Sequence, residues 1–137
     1  MWRPFLIQII INMDFSASQP KEAIELFFSC RSLKNMDYGS VSDSIVHILI
    51  QGSGGWVKIG ETEVKKDSLN PDFAKSLIMD YYFEKVQNLR FEVFDQDPEK
   101  LEFIGECTTT LSKIAGARNQ TFLGELKNNK GHKTGHI

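Results

Sequence analysis

A chain of 137 residues has the length of one ordinary domain and can bury about two thirds of its unfolded surface. Its 41% hydrophobic and 25% charged residues exclude wholesale disorder and fibrous structure. The formal net charge of -2 gives no general reason to bind nucleic acid, so any electrostatic function must come from local clustering.

The amino terminus, MWRPFLIQIIINMDF, combines Arg3 with an apolar run in the manner of a signal peptide. The run is too short to span a bilayer, is interrupted by Gln8, and has only Ser16-Ala17-Ser18 as an imitation of a cleavage site. Residues 1–20 are therefore read as an apolar segment serving as an edge strand or an anchor, and residues 21–137 as the domain proper.

From there the periodicity is that of strands. In EAIELFFSCRSL, Ile24, Leu26, Phe28 and Cys30 fall on one face, and in NLRFEVF, Leu89, Phe91 and Val93 do the same. SIVHILIQ (44–51) and WVKIGETEV (56–64) flank GSGG, a hairpin turn built of conformationally permissive glycines. SLIMDYYF (76–83) follows the Asn70-Pro71 turn signal. Short strands at this spacing predict an antiparallel β-sandwich of eight strands, or nearly eight. One short helix is expected in TTLSKIAGARN (109–119), with Ser112 as its cap and Gly116 limiting its length, and KNNKGHKTGHI (127–137) begins as a polar loop. Cys30 and Cys107 fit neither a disulfide framework nor a C-x-x-C spacing, and are expected as buried free thiols of a reducing compartment.

Carboxylates concentrate in FDQDPEKLEFIGE (94–106). Asp95 and Asp97 leave a strand and, in extended geometry, point the same way. Such a pair calls for a cation, and Ca²⁺, which takes about six to eight oxygen ligands, suits a flexible acidic loop. An EF-hand frame begun at Asp95 fails: the glycine position falls on Lys100, the apolar position on Glu102, and the flanks are strand-like. A second acidic loop, KNMDYGSVSDS (34–44), brackets a Gly-Ser turn with Asp37 and Asp43. Convergence of the two loops at one end of a sandwich would assemble a site.

These segments resemble the C2 domains, and in particular the first C2 domain of copines. The resemblance rests on MDYGSVSDS, SLNPDF (68–73), FDQD (94–97) and FIGE (103–106), with copine-like detail in LFFSCRSL, GGWVKIGETEV and DYYFEKVQNLRFEVFDQD, and it covers about residues 22 to 135. It implies a Greek-key sandwich without enzymatic activity. The metal ligands it implies are Asp37, Asp43, Asp95, Asp97 and Glu102, holding about two Ca²⁺. Glu102 stands where the family usually has aspartate, on a loop that looks short, and the family's Ser-Asp-Pro is here Ser42-Asp43-Ser44. The implied partner is an anionic phospholipid membrane, approached from the cytoplasm when calcium rises and neutralises the carboxylates. Met36, Tyr38, Pro98 and Leu101 are the expected membrane contacts, with ordinary loop packing as the alternative. Lys58, Lys65 and Lys66 form a weak phosphoinositide patch worth about 1 kcal/mol per lysine at best.

The rival expectation is a calcium-independent protein-interaction module with a degenerate metal site, favoured by Glu102 and Ser44. Copines carry two C2 domains and an integrin-like A domain, and the family's next strand continues beyond Gly135-His136-Ile137. A fragment, a splice product and a divergent single-domain relative are all open readings, and if that last strand is absent FLIQIII is expected to fill the vacant edge. His47, His132 and His136 lack the companions of a metal site, no nucleophile elbow is present, and GSGGW is no phosphate-binding loop because it leads into a strand. Oligomeric state and protein partners are not legible.

Overall fold

The computed structural model describes residues 7–14, 20–36 and 39–137. In chain order the elements are β1 (Ile7–Asp14), β2 (Lys21–Phe28), β3 (Ser44–Gly52), β4 (Gly55–Glu61), β5 (Leu77–Tyr82), β6 (Asn88–Gln96), β7 (Leu101–Thr110), α1 (Leu111–Ala115), a short 3-10 turn at Arg118–Gln120, β8 (Thr121–Phe122), β9 (Glu125–Lys127) and β10 (Lys133–His136). They form two sheets, ordered β5-β2-β1-β8 and β10-β9-β7-β6-β3-β4, with every strand pair antiparallel. The antiparallel sandwich expected from the periodicity is thus the observed fold. The strand count exceeds eight because β8 and β9 are pieces of two and three residues.

The core lies where the alternating patterns meet. Ile24, Leu26 and Phe28 of β2 face Val46 and Ile48 of β3 and Leu89, Phe91 and Val93 of β6, all buried in one cluster with Ile104, Leu126 and Ile137. The Phe28 and Phe91 rings meet edge to face at 5.7 Å, the arrangement that aromatic quadrupoles favour. GSGG makes the β3–β4 turn as expected: Gly52 pairs with Gly55, whose φ of +120° only glycine adopts readily.

Three local expectations change. The helix is capped by Thr110, not Ser112: Thr110 is extended, and its hydroxyl oxygen accepts from the Lys113 N–H at 3.3 Å, while Ser112 lies inside the first turn. Gly116 does end the helix, its N–H reaching the Ser112 and Ile114 carbonyls. The polar tail is a hairpin, β9 and β10, closed by a turn over Asn128 to His132. Finally, residues 7–14 do not fill an edge: β1 lies between β2, paired along its whole length, and β8, paired at Ile7 and Gln8. Phe5 and Leu6 of the same apolar run lie outside the described residues. No helix among the described residues is long and apolar enough to cross a membrane. Both thiols are free, Cys30 buried and Cys107 half-buried, and burial, helped by Glu106 and Glu125, pushes the Cys107 thiol up to about 11.

Candidate functional site

The alternation that buries Leu89, Phe91 and Val93 continues one step further and buries Asp95. Its exposure is 1%. The sequence puts this residue in a loop leaving the strand; in the structure β6 runs on to Gln96, and Asp95 sits between Ser44 of β3 and Glu102 of β7. Burying a carboxylate is costly unless hydrogen bonds and charge compensate. One compensation is the Asp43 N–H, which donates to Asp95 Oδ1 at 2.9 Å. The Gln96 N–H in turn donates to the Asp43 carbonyl at 2.8 Å.

Asp43 also ties in a third loop. Its Oδ1 accepts from the Asp67 N–H at 2.9 Å, and Asp67 holds a left-handed φ of 53°, a conformation that Asp tolerates better than most residues. The loop residues around Asp43, the loop 62–72 and the turn 97–100 therefore meet at one end of the sandwich, at the start of β3 and the end of β6. The convergence expected of the acidic loops is present for Asp43 and Asp95.

Asp97 and Glu102 are placed differently. Asp97 heads the tight β6–β7 turn, where its Oδ1 accepts from the Glu99 N–H at 3.0 Å and the Lys100 N–H at 2.9 Å. Glu102 lies across from Asp95 in the β6–β7 ladder and is ion-paired with Lys100. Asp37 and Tyr38 lie outside the described residues. Among the described residues no three His, Cys, Asp or Glu side chains gather closely enough to hold a metal ion.

Of the expected membrane contacts, Met36 is half-buried and packs against the core, with its N–H donating to Ser42 Oγ at 2.9 Å. Pro98 is exposed, and Leu101 is 46% exposed. Of the three lysines, Lys58 pairs with Glu61 at 3.0 Å and Lys65 lies 3.9 Å from Glu63, while Lys66 is exposed. His47, beside Glu61 and Lys58, is packed on the Phe94 ring at 4.8 Å between centroids. Burial first, and Lys58 second, lower its pKa against the pull of Glu61.

The supporting residues are those the sequence reading passes over. Buried Ser42 and the Asn35 side chain build the first loop, Asn35 Oδ1 accepting from the Ser42 N–H and Oγ at 3.1 Å each. Arg31 binds the Asn-Pro turn to the end of β2 through Asp72 at 2.8 Å. Nothing in the periodicity marks them, because they act through loop geometry; the one available signal is the density of Ser, Asn and Asp, residues whose side chains bond to nearby backbone.

Comparison with known proteins agrees with this architecture. The family model for the C2 domain matches residues 26–126. Copine-B of Dictyostelium discoideum is 41% identical over 93% of this chain, which spans 25% of that relative. Among solved structures, the first of the lettered C2 domains of plant extended synaptotagmin 1 superposes with a TM-score of 0.66 at 19% identity, covering 83% of this chain and 87% of that one. The calcium-bound pair of C2 domains of extended synaptotagmin 2 gives 0.62 at 21% identity, over 83% of this chain and 43% of that one. A two-sheet antiparallel sandwich whose loops converge through Asp43 and Asp95, matched over most of its length by the C2 model and by a copine, belongs to the C2 domain family.

Proposed function

We propose that this chain is a calcium-dependent phospholipid-binding module, without catalytic activity, that associates peripherally with anionic membranes from the cytoplasmic side. The observation that carries the reading is the Asp95 carboxylate, buried at the loop end of the core and joined there to Asp43. An all-oxygen set of Asp43, Asp95 and Asp97, with Asp37 from the first loop and Glu102 from β7, has the chemistry that suits a hard cation. Bound Ca²⁺, about two ions for these five carboxylates, supplies positive charge and open positions for lipid phosphate oxygens. Without it the carboxylates repel an anionic surface. Pro98 and Leu101 present the exposed apolar surface of the third loop to the headgroup region, with Tyr38 as a further candidate; Lys66, and less so Lys58 and Lys65, add weak attraction. Copine-B as the sequence relative and the calcium-bound state of extended synaptotagmin 2 support this reading.

A second reading, a calcium-independent protein-interaction module, is favoured by one observation: the Glu102 carboxylate is engaged by Lys100, and Asp97 Oδ1 by two backbone N–H groups. Co-sedimentation with phosphatidylserine vesicles in Ca²⁺ and in chelator separates the two. Calcium is expected to move the protein into the pellet, and Asp95→Asn/Asp97→Asn to abolish the shift. Sedimentation indifferent to calcium would overturn the first reading in favour of the second.

A further inference from the structure

Beside the acidic loops lies an open pocket of about 300 Å³ lined by Lys34, Phe103, Asn128, Asn129, Lys130 and His132. We propose that it is a phosphate-binding site that works without calcium and, at a membrane, takes the phosphate of an anionic lipid headgroup.

Among the described residues its walls contain no carboxylate. Lys34 and Lys130 enter no ion pair among the described residues, whereas nearby Lys127 and Lys133 are both drawn to Glu125, at 3.7 and 3.3 Å. Two lysines thus line one cavity with no carboxylate among its described lining residues, next to amides and an imidazole that can donate to phosphate oxygens. The turn carrying Lys130 is preformed. Asn128 Oδ1 accepts from the Lys130 and His132 N–H groups at 3.0 Å each, the Asn128 N–H donates to the His132 carbonyl at 2.9 Å, and Gly131 takes a φ of +78°. Across the cavity, Lys34 is fixed by its N–H to the Thr134 carbonyl at 2.9 Å.

The position has a functional sense. β9 runs antiparallel to β7, which starts at the acidic end with Leu101, so the β9–β10 turn emerges at that same end. Lys34 lies in the segment that becomes the first acidic loop, and Phe103 follows Glu102. One end of the molecule therefore carries a carboxylate cluster and, beside it, a cationic pocket. The pocket does not rest on the calcium reading, since its charge is present throughout.

The test uses the full chain in chelator with phosphatidylcholine vesicles containing phosphatidic acid. Lys34→Glu/Lys130→Glu is expected to weaken binding about tenfold or more, since each basic residue near an anionic surface contributes measurably. Lys113→Glu, on α1, is expected to leave it nearly unchanged. Asn128→Asp keeps the turn's acceptor but adds charge to the pocket, and is expected to weaken binding with an unchanged melting temperature. In the calcium arm, Asp95→Asn/Asp97→Asn loses the calcium response yet keeps binding in chelator, so failure of either site is separately visible. Inorganic phosphate serves as the soluble probe: amide shifts confined to 128–132 support the site, and shifts without a vesicle effect assign it to a soluble phosphate ligand. Equal vesicle binding by wild type and Lys34→Glu/Lys130→Glu, together with no phosphate-induced shifts, would overturn it, as would equal losses in Lys113→Glu.

Discussion

Asp95 is the last inward residue of β6, after Leu89, Phe91 and Val93. Burial penalises the charged form of a carboxylate there, where a hydrophobic residue would extend the core. Asn in its place keeps an oxygen for the Asp43 N–H and removes the buried charge. Asp95→Asn is accordingly expected to stabilise the calcium-free protein by about 1 kcal/mol, or roughly 4 °C in melting temperature, while losing any stabilisation by added Ca²⁺. Thermal melts in chelator and in calcium read both effects; a variant less stable than wild type in chelator would contradict the idea that charge, not packing, is what Asp95 contributes. The identity of this residue as a candidate ligand was legible in FDQD. Its burial was not, because a strand's length is set by pairing on both flanks, here with Ser44 and Glu102, and no local pattern records that.

At the scale of elements, the strands that could be read were those with one face in the core. β2 and β6 show clean alternation because their inward residues meet across the sandwich. β9 and β10 escaped because they are short and polar, and what holds them is backbone pairing with distant segments, such as the bridge between His136 and Arg31. Their presence explains a glycine that the sequence displays without a reason. A Cβ at Gly105, in FIGE, would run into the Thr134 hydroxyl of β10 and lie 3.2 Å from Leu126 Cβ and 3.3 Å from the Lys127 N of β9. Gly105→Ala is therefore expected to cost about 1–3 kcal/mol through overpacking. The damage should centre on β9 and β10, seen as faster amide exchange at residues 125–136 with β2 and β6 protected longer. A neutral Gly105→Ala would mean that the hairpin does not press on β7 in solution.

Over the whole molecule, the two ends of the chain share one flank of β2. Phe28 pairs with Ile7 of β1, and three residues further on Arg31 bridges to His136 of β10. Along this flank the β1 ladder is thus followed by a single bridge to β10, a strand of the other sheet. β1 meets β2 at eight consecutive positions, from Ile7–Phe28 to Asp14–Lys21. Without β1, the backbone N–H and C=O groups of β2 on that side have no strand to bond, and β8 loses its partner as well. Residues 7–14 thus pair as a strand within this sheet, and a structural role and a membrane-anchoring role are separable by deletion. Deleting residues 1–14 is expected to lower the melting temperature by about 10 °C or more, on the order of several kcal/mol, and to promote aggregation through the opened edge. A deletion that melts unchanged and remains soluble but loses vesicle binding in chelator would instead make the segment an anchor. The structural role predicts the reverse pattern, because the acidic loops and the cationic pocket both lie at the other end of β2 from the β1–β2 connection, and a strand removed from the sheet reaches them only by unfolding it.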